Sequence, residues 1–203
     1  TISRTRLTNL DALADLRWAL EGLTIEENPE LVDLAGLDGL VAVSWVMLHN
    51  NEKLAVVPPF SRLENIDSLQ ITYSGALEEL HLDMPSLELG VGLLYPDGAS
   101  WRALEVGHNP RLERLSFSQK AKSIGTVLVH SNDSLERLDL GGLESADELL
   151  IHTNPALDTV VAPRIRTVDS LYVRDNPLLS LVPFSDVQTF VREMSGNADE
   201  LAP

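Results

Sequence analysis

Residues 20–31 read Leu-Glu-Gly-Leu-Thr-Ile-Glu-Glu-Asn-Pro-Glu-Leu, and this stretch decides the fold. Leu23 and Ile25 alternate with polar residues, so both apolar side chains point to one side of a short strand. Asn28 lies where the chain must turn, and its side chain can bond backbone groups of a stacked neighbour. Pro29 cannot donate to a sheet ladder and therefore ends the strand.

Six further copies of this pattern follow along the chain. Each places two apolar residues two positions apart and, in the same slot, an Asn or Ser. One such coil cannot bury its apolar side alone, whereas stacked coils can. Seven amphipathic helices are the alternative, and the period-two triplets and Asn-Pro turns disfavour it. We therefore predict a mainly β, right-handed parallel solenoid of about seven or eight coils. The first strand residues are Leu23, Val46, Leu69, Leu104, Val127, Leu149 and Leu171, giving steps of 23, 23, 35, 23, 22 and 22 residues.

The pattern L-x-x-L-x-I-x-x-N-P-x-L, over about residues 20–183, resembles the leucine-rich repeat with one extra residue after the Asn. This variant is most similar to the receptor L domain, the ligand-binding module of insulin- and growth-factor-receptor ectodomains. It is also similar to bacterial surface proteins built from N-P-x-L repeats. Receptor L domains usually carry cysteines, and this chain has none. The resemblance therefore implies a recognition role at a bacterial cell surface or outside the cell.

Composition excludes several classes of function. Acidic residues outnumber basic ones by 31 to 15, and a formal charge of −16 repels phosphate backbones, so no nucleic-acid partner is expected. No apolar run is long enough to insert into a membrane. Without cysteine there are no disulfides, thiolate metal sites or cysteine nucleophiles. Because no hydrolase, Walker or dinucleotide motif is present, we expect no enzyme activity, no cofactor and no metal.

The whole chain, 1–203, is predicted to be one solenoid domain with a cap at each end. Residues 1–19 would form an N-terminal cap and half coil, with helix-forming residues over 11–20. Residues 20–183 would carry the repeats. Residues 184–203 would form a helical cap and tail, since Ser185 and Gln188 resemble a capping box. The apolar residues at helical spacing in this cap are Val187, Phe190, Val191 and Met194.

The step of 35 residues contains an irregular insertion near 84–100. Two interpretations remain open. Leu87-Glu88-Leu89 is one candidate for an extra strand in a short coil. Alternatively, residues 90–100 form a protruding loop, which suits their three glycines and Pro96. A combination of short coil and loop is favoured.

The repeat register predicts which side chains lie on the outward face of the sheet. The first outward row contains Met47, Gln70, Leu128, Leu150 and Tyr172. The second row contains His49, His130, His152 and Arg174, and His108 lies beside it. Neighbouring coils are about 4.8 Å apart, so His130 and His152 should stack.

Each of these features has two interpretations. The stripe Leu128, Leu150 and Tyr172 is either a protein-binding patch or a layer covered by a loop of the same chain. The histidines form either a weak metal site or pH switch, or an ordinary polar row. Our leading hypothesis is a non-catalytic recognition module that presents the outward face to a protein or glycan. The alternatives are a structural or self-associating adhesin or spacer and, less favoured, a carbohydrate-active β-helix enzyme. The binding residues expected are Met47, Gln70, Leu128, Leu150, Tyr172, His49, His130, His152 and Arg174.

Overall fold

A computed structural model describes residues 1–83 and 103–198. These residues form short strands joined by turns and three 3-10 helices, and no α-helix occurs among them. The 3-10 helices are Asp11–Leu13, Ala35–Leu37 and Val182–Phe184. The strands are β1 Ile2–Ser3, β2 Trp18–Ala19, β3 Leu23–Glu26, β4 Ala42–Val43, β5 Trp45–His49, β6 Ser68–Thr72, β7 Glu79–Leu82, β8 Ala103–Gly107, β9 Arg114–Phe117, β10 Ser123–His130, β11 Arg137–Asp139, β12 Ser145–His152, β13 Thr159–Val161, β14 Thr167–Arg174 and β15 Val191–Ser195.

The strands stack into a parallel β-solenoid of about eight turns, as the repeat predicts. One sheet has the order β1-β3-β5-β6-β8-β10-β12-β14-β15, and we call it the main sheet. The second sheet has the order β13-β11-β9-β7, and a third pairs β2 with β4. Every strand pair that the structure describes is parallel. The predicted register is confirmed, since Leu23 pairs with Val46 and Leu149 pairs with Leu171.

The core is built from columns of apolar side chains. Each column stacks the side chains that occupy the same inward strand position in successive coils. Ile25, Leu48, Ile71, Val106 and Val129 form one such column, and none of them contacts solvent. Each fully buried side chain of this size stabilises the fold by about 1.5–3 kcal/mol. The columns are continuous because each coil adds the same apolar positions.

A column of buried polar residues runs beside the core, and we call it the asparagine ladder. Asn132 shows its chemistry: the Asn132 backbone N–H donates to Asn154 Oδ1 over 3.2 Å, and its Nδ2 donates to the Val106 carbonyl over 3.0 Å. Every member is completely buried. The ladder consists of Asn28, Asn51, Ser74, Asn109, Asn132, Asn154, Asn176 and Asn197.

The residue before each ladder position adopts a left-handed backbone conformation. His108 has φ 55° and Tyr73 has φ 57°, although neither is glycine. This conformation costs about 1–2 kcal/mol for a non-glycine residue, and the hydrogen bonds of the ladder hold it in place. The same turn therefore ends the strand of the main sheet in coil after coil and fixes where the following side chains leave the backbone.

The N-terminal region corrects the prediction of a capping helix over residues 11–20. Only Asp11–Leu13 is helical, as a 3-10 turn, and it is followed by β2. Ile2 pairs with Ile25, and Thr5 donates both its backbone N–H and its hydroxyl to Asn28 Oδ1. Residues 1–19 thus belong to a complete first coil. Stacking on the second coil, which has the same 3-10 turn at Ala35–Leu37, outweighs the local helix propensity.

The predicted C-terminal helical cap is also wrong. The segment with apparent helical spacing contains strand β15, which pairs with β14, and Asn197 joins the asparagine ladder. Arg192 occupies an inward strand position, and its Nη2 donates to the carbonyls of Phe184 and Val187. An inward charge at an edge strand opposes further strand pairing. The last coil therefore ends the sheet with a strand and a charge rather than a helix.

The irregular insertion separates two coils that remain neighbours. β6 pairs directly with β8, so Leu69 lies beside Leu104 although 35 residues separate them. β7 likewise pairs with β9. Both interpretations of the insertion, the extra strand at Leu87-Glu88-Leu89 and the loop over 90–100, lie outside the described residues.

Candidate binding face

The structure places all the predicted outward residues in the expected rows. The pairs Met47–Gln70, Leu128–Leu150 and Leu150–Tyr172 are confirmed in the first row. The pairs His130–His152 and His152–Arg174 are confirmed in the second. We call these side chains, which point away from the core of the main sheet, the outward face.

Four histidines of the outward face belong to a continuous file of rings, which we call the ring file. Its members in order are His49, Tyr73, His108, His130 and His152. Adjacent ring centroids are separated by 5.2, 4.5, 4.9 and 5.2 Å. The second row itself is interrupted by Thr72 and Gly107. The file crosses this gap through Tyr73 and His108, whose left-handed backbone brings their rings beside those of the second row.

Gly107 provides the space that orients His130. A Cβ atom at Gly107 would lie 2.4 Å from His130 Nε2, so any larger residue there would displace the imidazole. In the space left by the glycine, His130 Nε2 lies 3.2 Å from Glu105 Oε1. Because a carboxylate only accepts, His130 Nε2 carries the proton of this bond. Its Nδ1 then faces the Ser131 hydroxyl over 3.3 Å.

Glu105 is a largely enclosed carboxylate of the outward face. Its side chain is 17% exposed, and that of His130 is 12% exposed. Gln70 Nε2 donates to the second oxygen of Glu105 over 2.7 Å. The hydrogen bond from His130 lowers the pKa of the Glu105 carboxyl, and the bond from Gln70 adds to this effect against the opposing effect of burial. Glu105 is therefore ionised near neutral pH and holds both neighbours in place.

Two imidazoles of the ring file favour the neutral form. Burial lowers the pKa of His108, and the charge that His130 would carry lowers it further, while Glu105 and Asp133 oppose this. Burial also lowers the pKa of His152, followed by the charges of His130 and Arg174, while Asp175 opposes. Each of these two rings lies about 5 Å from the ring of His130, so positive charges on neighbouring rings of the file oppose one another.

A groove lies on the outward face where β12 and β14 run side by side. It has a volume of about 530 Å³. Its residues are Glu148, Leu150, His152, Tyr172, Arg174 and Asp175. The Arg174 guanidinium lies 5.1 Å from the centroid of the Tyr172 ring, and Arg174 Nη2 donates to Glu193 on β15. This groove is thus lined by four of the predicted binding residues: Leu150, His152, Tyr172 and Arg174.

The remaining predicted residues are less closely grouped. Leu128, Leu150 and Tyr172, which form the predicted apolar stripe, are half-buried. Met47 lies beside Gln70, away from the groove. His49 Nδ1 lies 2.9 Å from the Thr72 hydroxyl and joins the ring file through Tyr73.

The sequence interpretation missed several residues that shape this face. Glu105, Tyr73 and Asp175 lie in the predicted rows or beside them, but only pairing could show that they contact His130, His49 and the groove. Gly107 also lies in the second row, where the absence of a side chain gives it no obvious role. The signal that could have found it is its position one coil before a histidine, where a missing side chain leaves room for a ring.

No group of three or more acidic, histidine or cysteine side chains suited to a metal ion occurs among the described residues. No helix in that part of the chain is long and apolar enough to cross a membrane. Comparisons with protein-family models, with curated proteins and with solved structures find no match to this chain. The outward face must therefore be interpreted from its own geometry.

Proposed function

We propose that this chain is a non-catalytic recognition module that presents its outward face to a protein or glycan partner at a bacterial cell surface. The observation that carries the proposal is the ring file, which crosses five consecutive coils with ring-to-ring spacings of 4.5–5.2 Å. Aromatic and imidazole rings bring large contact areas with little loss of side-chain entropy on binding. The repeat's resemblance to the receptor L domain supports the same role.

Rigidity of the backbone supports this proposal. The ladder hydrogen bonds and left-handed turns fix each strand end, so outward side chains start from defined positions. A binding face ordered before contact loses little further entropy when a partner docks. The charge of −16 favours basic over acidic partners for the surface as a whole.

The test is capture of a partner by the full chain in three forms: wild type, a blocked outward face and a matched control. Met47→Arg blocks the face at a half-buried outward position. Thr159→Arg introduces the same side chain at a half-buried position on the second sheet. We expect surface extracts to yield a partner that binds wild type and Thr159→Arg and is lost with Met47→Arg. A partner retained by Met47→Arg and lost by Thr159→Arg would contradict the proposal.

A structural, self-associating role is the second candidate, favoured by apolar side chains at both ends of the solenoid. Leu20 is 78% exposed in the first coil, and Phe190 is 90% exposed in the last. Two such ends could associate head to tail. Light scattering during size-exclusion chromatography would then show concentration-dependent oligomers that Phe190→Ser abolishes. A monomer at all concentrations would leave recognition as the sole candidate.

A further inference from the structure

The groove on β12 and β14 has the size and shape of a small-ligand site. Its volume of about 530 Å³ lies within the range typical of such sites, about 300–1,000 Å³. Leu150 and Tyr172 come from neighbouring positions of the first outward row and supply its apolar surface. Glu148, His152, Arg174 and Asp175 supply polar groups around them. The groove therefore combines an apolar contact area with several convergent polar groups.

The charges of the groove discriminate between ligand classes. Glu148 and Asp175 are exposed carboxylates, and they repel phosphate, sulfate and carboxylate groups. Arg174 opposes them only in part, because its guanidinium is paired with Glu193, and the groove therefore keeps a net negative charge that disfavours an anionic ligand. His152 adds no positive charge near neutral pH, because burial lowers its pKa. A ligand without net charge avoids this repulsion.

The hydrogen-bonding groups point to a ligand rich in hydroxyls. Carboxylates only accept and guanidinium only donates, so a ligand that satisfies Glu148, Asp175 and Arg174 together must both donate and accept. Hydroxyl groups do both. Tyr172 offers an aromatic ring against which the C–H face of a sugar ring can pack, beside the apolar side chain of Leu150.

Arg174 is placed for such contacts and is incompletely satisfied. Its Nη2 donates to Glu193, and its guanidinium lies over Tyr172. Within the described part of the chain, its Nε is buried and meets no acceptor. A buried donor without an acceptor is unfavourable, so a small rotation of the guanidinium towards a ligand oxygen would gain a hydrogen bond.

From these observations we infer that the groove formed by Glu148, Leu150, His152, Tyr172, Arg174 and Asp175 binds one or two units of a neutral oligosaccharide. The inference rests on the proposed recognition function and specifies its ligand class. Tyr172 and Leu150 hold the apolar face of the sugar. Glu148 and Asp175 accept from its hydroxyls, and Arg174 donates to them.

Isothermal titration of the full chain tests this assignment. The probes are neutral tetrasaccharides of glucose, mannose, galactose and N-acetylglucosamine, with tetragalacturonate as the anionic and tetraglucosamine as the cationic relative. We expect at least one neutral probe to bind at millimolar concentration or below, and the anionic relative to bind at least about tenfold more weakly. Tyr172→Ala should weaken the neutral probe about tenfold by removing the stacking ring.

Two further variants keep the test decisive if Tyr172→Ala does not fold. Glu148→Gln changes only an exposed side chain and should weaken binding about threefold to tenfold. Arg174→Met should do the same, whereas Arg137→Met, the matched change on the second sheet, should leave affinity within about twofold. Failure of every neutral probe, tighter binding of a charged relative, or full affinity in both Glu148→Gln and Arg174→Met would each overturn the assignment.

The two proposals can fail separately. If no saccharide binds while Met47→Arg still abolishes capture of a partner, the saccharide assignment is wrong and the recognition face stands. If capture does not depend on the outward face and no saccharide binds, both are wrong. The variant Met47→Arg makes this distinction because Met47 lies outside the groove.

Discussion

The asparagine ladder and the ring file are two columns of side chains stacked by the same coils, and they differ in almost every other respect. The ladder repeats one residue type at nearly every coil and is completely buried. The ring file mixes histidine with tyrosine, and Tyr73 is exposed by 46%. Ladder amides bond backbone groups of the preceding coil and the amide side chain of the next coil, whereas ring contacts are side chain to side chain only.

This difference distinguishes the side chains that stabilise the solenoid from the side chains on its outward face. A buried polar group must find a partner, so ladder positions tolerate few residue types. Outward positions have water as an alternative partner, so their identity can follow a ligand rather than the fold. The same register thus produces a buried structural column and a column on the outward face, to which we assign the proposed recognition role.

Loss of a ladder residue should have the largest effect. Asn132→Ala removes the acceptor of the Asn109 backbone N–H and the donor to the Val106 carbonyl, both fully inside the protein. Leaving such groups unsatisfied should lower the free energy of unfolding by about 3 kcal/mol. Urea unfolding monitored by circular dichroism measures this. A loss below about 1 kcal/mol would mean that the ladder is not a main source of stability.

Gly107→Ala should have a smaller effect on stability and a clear effect on geometry. The new Cβ would lie 2.4 Å from His130 Nε2, and the imidazole can move away because it is the end of a side chain. We expect a loss of about 1 kcal/mol and rupture of the His130–Glu105 hydrogen bond. His130 imidazole NMR signals would report the rupture.

The matched control is the same glycine substitution in a His130→Ala background. This background removes the three atoms that would lie nearest to the new Cβ, so the loss of unfolding free energy caused by Gly107→Ala should largely disappear. If Gly107→Ala lowers the free energy of unfolding equally in the His130→Ala background, Gly107 acts through its backbone conformation instead.

The sequence predicted the solenoid and its register because the same residue pattern recurs in every coil. The pairing of Leu149 with Leu171, and the rows that contain Leu150 and His152, follow from spacing alone. The ends were mispredicted because local helix propensity was weighed over repeat spacing. Val191, Met194 and Asn197 repeat Ser170, Val173 and Asn176 at an interval of 21 residues, and this signal outweighs apparent helical periodicity.

The candidate sites were only partly predictable. The outward rows could be predicted from the sequence. The contact of His130 with Glu105, however, depends on the space left by Gly107 and on the rotamers of both side chains. The groove depends on where Arg174 lies, and Tyr172 and Glu193 hold it there. Such contacts join side chains of neighbouring coils through directions that spacing does not encode.

Acidification should produce a smaller loss of stability than either substitution. The folded-state pKa values of His108 and His152 lie below their ordinary value of about 6.5, so the unfolded chain binds more protons as the pH falls below that value. The contribution of these two histidines to the free energy of unfolding is complete above this pH. It is lost as the pH falls through their folded-state pKa values. Glu105, whose pKa is lowered, contributes only to a further loss at more acidic pH.

Urea midpoints between pH 7.5 and pH 5.5 measure this dependence. His152→Gln should make the midpoint less sensitive to pH, because glutamine does not titrate. A midpoint that rises on acidification in the wild type would contradict the direction of both histidine shifts.

The most direct test of the central claim is urea unfolding of two matched double variants, Asn132→Ala/Asn154→Ala and His130→Ala/His152→Ala. Each removes neighbouring members of one column in the same two coils. We expect the ladder variant to lose at least about twice as much unfolding free energy as the ring-file variant. An equal or greater loss in the ring-file variant would show that these rings hold the fold, and would contradict the view that they are available for recognition.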